Sequence, residues 1–248
     1  MDISFIFTLF EGLPRQGPGS DACTNRMFDL LSPPANARVL DIGCGVGMQT
    51  LAIARRCPRC RITALDIHQP FLDDLTRKAG EAGAGDRITT CRASMDDLPF
   101  PPESFDLIWS EGSVFIMGFE KGLRYWRDFL KPGGSLALSE MAWFTDTPSP
   151  EVMAFMQEQY PPMTTVRECE RIIRDAGYGI IGSFRLPGDA WWNEFYEPLE
   201  AKMNSIGDQY ADNPDATTIL AMTRKEVALF REYADQYGYQ VFLLRKPA

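Results

Sequence analysis

Residues 39–47 read VLDIGCGVG, an apolar run that ends on three alternating glycines and passes at once into the amphipathic segment 48–56. Glycine is needed where φ turns positive or where a ligand must reach the backbone, and the free N–H groups that open a helix favour negative charge. Gly43, Gly45 and Gly47 therefore read as the seat of a small polar or anionic ligand. The spacing excludes two common seats. A dinucleotide loop carries its third glycine one residue later, where Met48 stands, and no Gly-Lys-Ser/Thr follows to make a phosphate-gripping loop. A purely structural turn is the rival use of this spacing, and residues further along decide between the two.

Polar groups recur downstream where such a ligand would need them. Asp66 can accept hydrogen bonds from vicinal hydroxyls. Ser94-Met95-Asp96-Asp97, Trp109-Ser110-Glu111-Gly112 and Glu140 to Phe144 follow in order. Each stands at the end of an apolar strand-like run, and helix-like runs alternate with the strands. The strand candidates are 38–42, 61–66, 87–92, 105–110, 135–142, 179–186 and 239–246. Helix candidates 70–82, 118–130 and 165–176 lie between them, each with one apolar face. This alternation predicts a parallel sheet covered on both faces, whose ligands sit outside the carboxyl ends of the strands. Leu130-Lys-Pro-Gly-Gly134 reads as a sharp helix stop before the fifth strand.

The 248 residues suit one large domain with an insertion. We divide it into an N-terminal cap (1–35), a ligand-binding core (36–186), a helical insertion (187–237) and a last strand (238–248). A net charge of -9 with no clustered Lys or Arg repels a phosphate backbone and argues against a nucleic-acid partner. The apolar start MDISFIFTLF lacks a basic leader and a small-residue cleavage site, and no apolar run reaches membrane-spanning length, so a cytoplasmic location is expected. Six scattered cysteines suggest no disulfide framework. Cys57-Pro-Arg-Cys60 has metal or redox spacing but no second pair, so it is expected to hold two ordinary thiols at a helix end, and no metal site is expected.

Five ordered segments carry a family resemblance: VLDIGCGVG, ITALDI (62–67), ASMDDLPF (93–100), FDLIWSEG (105–112) and LKPGG (130–134). Over residues 36–145 the chain resembles class I S-adenosylmethionine-dependent methyltransferases, nearest the small-molecule branch that includes quinone-biosynthesis-type enzymes. The resemblance implies a Rossmann-like, mostly parallel seven-stranded α/β sheet with an antiparallel last strand. It also implies S-adenosyl-L-methionine as cofactor. Carried over by position, Gly43, Gly45 and Gly47 face its methionine part, Asp41 reaches the ammonium through water, and Asp66 binds the ribose. Ser94 and Met95 address adenine, with Asp96 in reserve because Ser94 replaces the usual Asp; Ser110 belongs to the same cofactor set. Ile67 and Met95 can sandwich the ring, and His68 either flanks it or simply opens the next helix.

Methyl transfer from a sulfonium is an in-line displacement, in which the protein aligns the nucleophile and excludes water. A hydroxyl or ammonium nucleophile must also lose a proton, and Glu111, just past the fourth strand, is the candidate base; a helix-capping carboxylate is the alternative reading. Glu111→Gln is then expected to lower turnover and leave cofactor affinity nearly unchanged. Aromatic residues including Phe7, Trp143, Trp192 and Tyr196 are candidates to line or cover a small acceptor; core packing or a homodimer interface is their other use. Two further readings stand beside methyl transfer: a cofactor-binding relative with other chemistry, and a non-catalytic scaffold. The acceptor atom is not legible, and arsenic methylation by converging cysteines is a narrower option.

Overall fold

Strands form where the alternation predicts them, and their order makes the crevice. The computed structural model describes residues 4–248, so residues 1–3 of the predicted cap lie outside the described residues. The strands are β1 (Arg38–Ile42), β2 (Arg61–Asp66), β3 (Ile88–Arg92), β4 (Phe105–Ser110), β5 (Leu130–Trp143), β6 (Thr164–Thr165), β7 (Gly179–Arg185) and β8 (Tyr237–Arg245). They lie in the order β3-β2-β1-β4-β5-β8-β7, with the two-residue β6 beside β5. β8 runs antiparallel to both neighbours, and the remaining pairs are parallel. The chain goes outward from β1 in one direction through β2 and β3, then returns to β4 on β1's other side. That reversal opens a cleft at the carboxyl ends of β1 and β4.

Ten α-helices surround the sheet among the described residues: α1 (Ser4–Phe10), α2 (Asp21–Leu31), α3 (Met48–Arg56), α4 (Gln69–Glu81), α5 (Phe119–Arg127), α6 (Pro150–Gln159), α7 (Val166–Asp175), α8 (Asp189–Trp191), α9 (Glu197–Ile206) and α10 (Pro214–Tyr233). Successive strand residues point to opposite faces, and both faces are apolar, as a sheet covered on two sides requires. Val39, Leu107, Trp109 and Ala137 pack with Met27 of α2, Leu51 of α3 and Leu75 of α4. Leu40, Ile42, Ile108 and Leu138 pack on the other face with Leu123 and Trp126 of α5 and Ile173 of α7. A third apolar cluster joins Phe5 and Leu9 of α1 to Val152 of α6, Leu199 of α9 and Leu220 and Phe230 of α10. The N-terminal helix thus packs on the segment that precedes β8. Asn213 starts α10 by accepting from the N–H groups of Asp215 and Ala216, and Pro214 suits the first turn.

Four local expectations need correction. β5 begins at Leu130, because Lys131–Gly134 bulges out of the strand rather than standing before it; pairing passes from Phe105↔Leu130 straight to Leu107↔Ser135. α5 accordingly ends at Arg127. β6 is too short to leave a period in the sequence. Cys57 and Cys60 are not two free thiols: they form a disulfide across the turn between α3 and β2, with Cα atoms 5.3 Å apart. Cys57 terminates α3 and Cys60 immediately precedes β2, so the tight reversal brings the two sulfurs together.

Candidate functional site

Gly43, Gly45 and Gly47 have φ values of 70°, 52° and 78°, a region that ordinary side chains rarely occupy. The N–H groups of Gly43 and Cys44 both donate to Leu65 O, at 2.8 and 3.0 Å, which fastens the turn to β2. The three glycines serve different ends. A Cβ on Gly43 would fall 2.5 Å from Cβ of Ser113, and one on Gly47 would fall 2.2 Å from Leu75 Cδ1. The Cβ directions at those two positions are closed by the protein itself, so Gly43 and Gly47 are needed for the shape of the turn. At Gly45 the neighbour is the flexible end of Gln16, whose Oε1 would lie 2.6 Å from a Cβ. The same oxygen accepts from Val46 N–H at 2.9 Å, while Gln16 Nε2 donates to the carbonyls of Phe10 and Leu13.

Asp66 stands across the turn at the end of β2. Its Oδ2 accepts from Gly45 N–H and its Oδ1 from His68 N–H, both at 2.9 Å. Burial raises its pKa, against the pull of those backbone donors. Ile67, next in sequence, is 57% exposed, an unusual position for a large apolar side chain. The half-buried Met95 places its Cε 3.8 Å from the Cβ position of Gly43, beside the turn. Ser94 Oγ donates to the exposed Asp96 at 2.5 Å, and Asp96 also faces Lys121 at 3.6 Å.

Three predicted site residues lie elsewhere than expected. Asp41 is fully buried; Thr50 Oγ1 donates to it at 2.5 Å and Gln49 Nε2 reaches it at 3.5 Å, so it braces the turn from beneath. Burial pushes its carboxyl up to about 7, and nearby Glu111 and Asp66 add to the rise. Ser110 is also fully buried, with its hydroxyl against Ser113 Oγ at 2.7 Å. Tyr196 is core: it has 1% exposure and donates to Glu226 at 2.8 Å. Trp143 and Trp192 are half-buried, Trp143 near Tyr237 and Trp192 beneath the Arg231 guanidinium.

Glu111 is tied to its own scaffold. Thr24 Oγ1 of α2 and Trp109 Nε1 both donate to its Oε1, at 2.7 and 2.8 Å. A Cβ on Gly19 would touch both Glu111 Oε2, at 3.1 Å, and Arg15 Nη1, at 3.3 Å. Arg15 is 4% exposed and pairs with Asp21 at 2.8 Å and with Glu194 at 2.5 Å. Burial raises the Glu111 pKa while Arg15 and the two donors oppose it. Phe7 stacks on His68 at 4.3 Å, and Glu11 reaches His68 Nε2 at 2.7 Å. Residues 7–16 therefore run from the end of β2 to the glycine turn. Neither Gln16 nor Arg15 was legible as a site residue: both fall in an irregular Gly- and Pro-rich stretch with no periodic signal.

The donor set can be compared with the implied cofactor, whose charge is carried by a sulfonium, an ammonium and a carboxylate. Asp41, Asp66 and Glu111 lie close enough for the latter two to raise the first, and such acidity suits a cationic ligand. Asp66, the apolar pair Ile67 and Met95, and the uncapped N-terminus of α3 complete a fit; Gln16 stands where the ligand carboxylate would share or take the Val46 N–H.

Fold and site together define an α/β protein with a glycine turn and an acidic strand end facing a cleft at the end of β1. Residues 39–134 match the family described as a methyltransferase domain. The chain is 28% identical over 165 residues to an O-methyltransferase, resE, of Aspergillus sclerotiorum, covering 65% of this chain and 62% of that one. It is 36% identical over 122 residues to a trans-aconitate 2-methyltransferase of Streptomyces avermitilis, covering 49% and 45%. The chain thus matches less than two thirds of either relative's length. The structure of an S-adenosylmethionine-dependent methyltransferase from Geobacter sulfurreducens, in complex with S-adenosyl-L-homocysteine, superposes with a TM-score of 0.84 at 22% identity over 100% of this chain and 99% of that chain, which establishes the shared fold.

Proposed function

We propose that the protein is an S-adenosylmethionine-dependent methyltransferase acting on a small-molecule acceptor. The observation that carries this reading is the positive-φ turn at Gly45, with Asp66 held across it and the N-terminus of α3 opening behind it. When bound, the cofactor supplies a methyl group activated by its sulfonium. Gly45 lets the methionine end lie against the backbone, Asp66 presents its remaining lone pairs to the ribose hydroxyls, and Ile67 and Met95 flank the adenine. Asp41, Thr50 and Gln49 hold the turn's shape from beneath. Residues 7–16 cover the site and exclude water, anchored on His68 and Val46.

Glu111 then acts as a positioning residue that fixes α2 and the Arg15 segment beside the cleft, rather than as the base. The name of one relative, an O-methyltransferase, supports methylation on oxygen, and that of the other, a trans-aconitate 2-methyltransferase, supports a small acceptor. Calorimetry with S-adenosyl-L-homocysteine tests the reading: stoichiometric binding that Asp66→Ala weakens at least tenfold is expected, and absence of binding to the wild-type protein overturns it.

A further inference from the structure

Glu140 lies on β5 and is 2% exposed. Tyr160 donates to its Oε1 at 2.7 Å, and no group among the described residues bonds its Oε2. An unpartnered carboxylate oxygen in the interior is costly and needs a reason. The reason lies in the space beside it: Glu140 lines a cavity of about 230 Å³ with Gly118, Phe119, Pro162, Thr164 and Cys169. A short run of residues links that cavity to the glycine turn. Ser113 packs on Gly43, a single 3-10 turn (Val114–Ile116) leads from Ser113 toward Gly118, and Gly112 N–H is held by Ser139, the neighbour of Glu140.

We propose that this cavity takes the hydroxyl of the methyl acceptor, with Glu140 Oε2 accepting its hydrogen bond and then its proton. The inference rests on the methyltransferase reading and specifies its substrate as an alcohol or phenol with an apolar body, matched to Phe119 and Pro162. In the transfer step a lone pair on the acceptor oxygen forms the new O–C bond. The C–S bond breaks with its electron pair remaining on sulfur, and the hydroxyl proton passes to Glu140. Tyr160 keeps Glu140 oriented by its hydrogen bond to the other oxygen.

Burial pushes Glu140 up to about 8 against the pull of Tyr160, which makes it a stronger base than a surface carboxylate. The other titratable groups facing it are Tyr160, Tyr239 and the Cys169 thiol, itself pushed up to about 12. Glu120 and Lys121 also line the cavity, and Gln240 of β8 is Glu140's cross-strand partner.

The test uses benzyl alcohol, which does not itself titrate, with the full chain saturated in S-adenosyl-L-homocysteine. Its affinity is measured by ligand-observed NMR between pH 6 and pH 9. Wild-type affinity should rise about tenfold as Glu140 ionises, since a hydrogen bond to a carboxylate is stronger than one to the neutral acid. Glu140→Gln, of the same shape, should give a flat profile with unchanged binding of the homocysteine product. Tyr160→Phe should move the midpoint to higher pH, because the anion loses a donor. No alcohol binding to the wild type, or the same pH profile in Glu140→Gln, overturns the proposal. Failure of the wild type to bind S-adenosyl-L-homocysteine overturns the methyltransferase reading instead.

Discussion

Asp41 makes the turn's dependence on burial measurable. Its carboxyl rises from an ordinary value of 3.8 to about 7 because the side chain has no contact with water, and the bonds from Thr50 and Gln49 only partly offset that. In the folded protein the proton is therefore held through a pH range in which the unfolded chain has lost it. Where the folded state binds more protons, stability falls as pH rises. Asp41's contribution is fully present below about 3.8 and is lost as pH climbs to about 7. The slope is about 1.4 kcal/mol per pH unit, and the whole span amounts to about 4 kcal/mol. Asp41→Asn removes the titration while keeping an oxygen for Thr50. Denaturant unfolding of both proteins at pH 5, 6 and 7 reads the difference, in which the raised Glu140 and Glu111 largely cancel because both proteins contain them. The variant's stability relative to wild type should improve by about 1.3 kcal/mol from pH 5 to 6 and by about 1 kcal/mol from pH 6 to 7, where the slope begins to level. Any fixed cost of the new amide beside Gln49 displaces the curve without changing its slope. Parallel stability curves would refute the burial argument.

Other consequences can be checked directly. Gly47→Ala should cost about 1–3 kcal/mol of unfolding free energy beyond the positive-φ strain that it shares with Gly45→Ala, because its Cβ meets Leu75 Cδ1 at 2.2 Å, whereas at Gly45 the Cβ meets only the movable Gln16 and the substitution should in addition weaken S-adenosyl-L-homocysteine binding; equal losses of stability would contradict the division of labour. Glu111→Ala strands the buried donors of Thr24 and Trp109 and should destabilise by about 1–3 kcal/mol, while Glu111→Gln, which keeps the accepting oxygen, should cost less than about 1 kcal/mol by thermal denaturation. Under denaturing, non-reducing conditions a thiol reagent should count four sulfhydryls (Cys23, Cys44, Cys91 and Cys169) and six after reduction. A count of six without reduction would remove the Cys57–Cys60 bond.

The strands were within reach of the sequence because β1, β2 and β4 are largely apolar runs that close on Asp41-Ile42, Asp66 and Ser110. The glycine turn was legible for the same reason: Gly43, Gly45 and Gly47 leave few conformations open. What the side chains touch was not. Glu111 and Asp41 look alike in sequence as carboxylates at strand ends, but one is held by Thr24, 87 positions away, and the other by Thr50 on the adjoining helix. Gln16 gives no sign of its role because an irregular segment has no period, and its place on Val46 depends on α1 docking against α9 and α10. The pair Glu140 and Tyr160 was hidden in the same way. The strand end near Glu140 could be read, but the loop that returns Tyr160 to it could not.

Arg15 gives the short N-terminal stretch a consequence for how this chain can diverge. Its guanidinium joins Asp21 to Glu194, Gly19 N–H bonds the carbonyl of Ala190, and one residue further along Gln16 rests on the glycine turn. The segment that precedes the last strand is thus mechanically geared to the part of the fold that holds the cofactor. A chimera whose imported residues 187–237 carry no carboxylate at position 194 would leave Arg15 a buried cation short of one partner. Exchange of acceptor preference between relatives should therefore succeed when residues 11–21 travel with the insertion, so that two stretches distant in sequence are inherited as one unit.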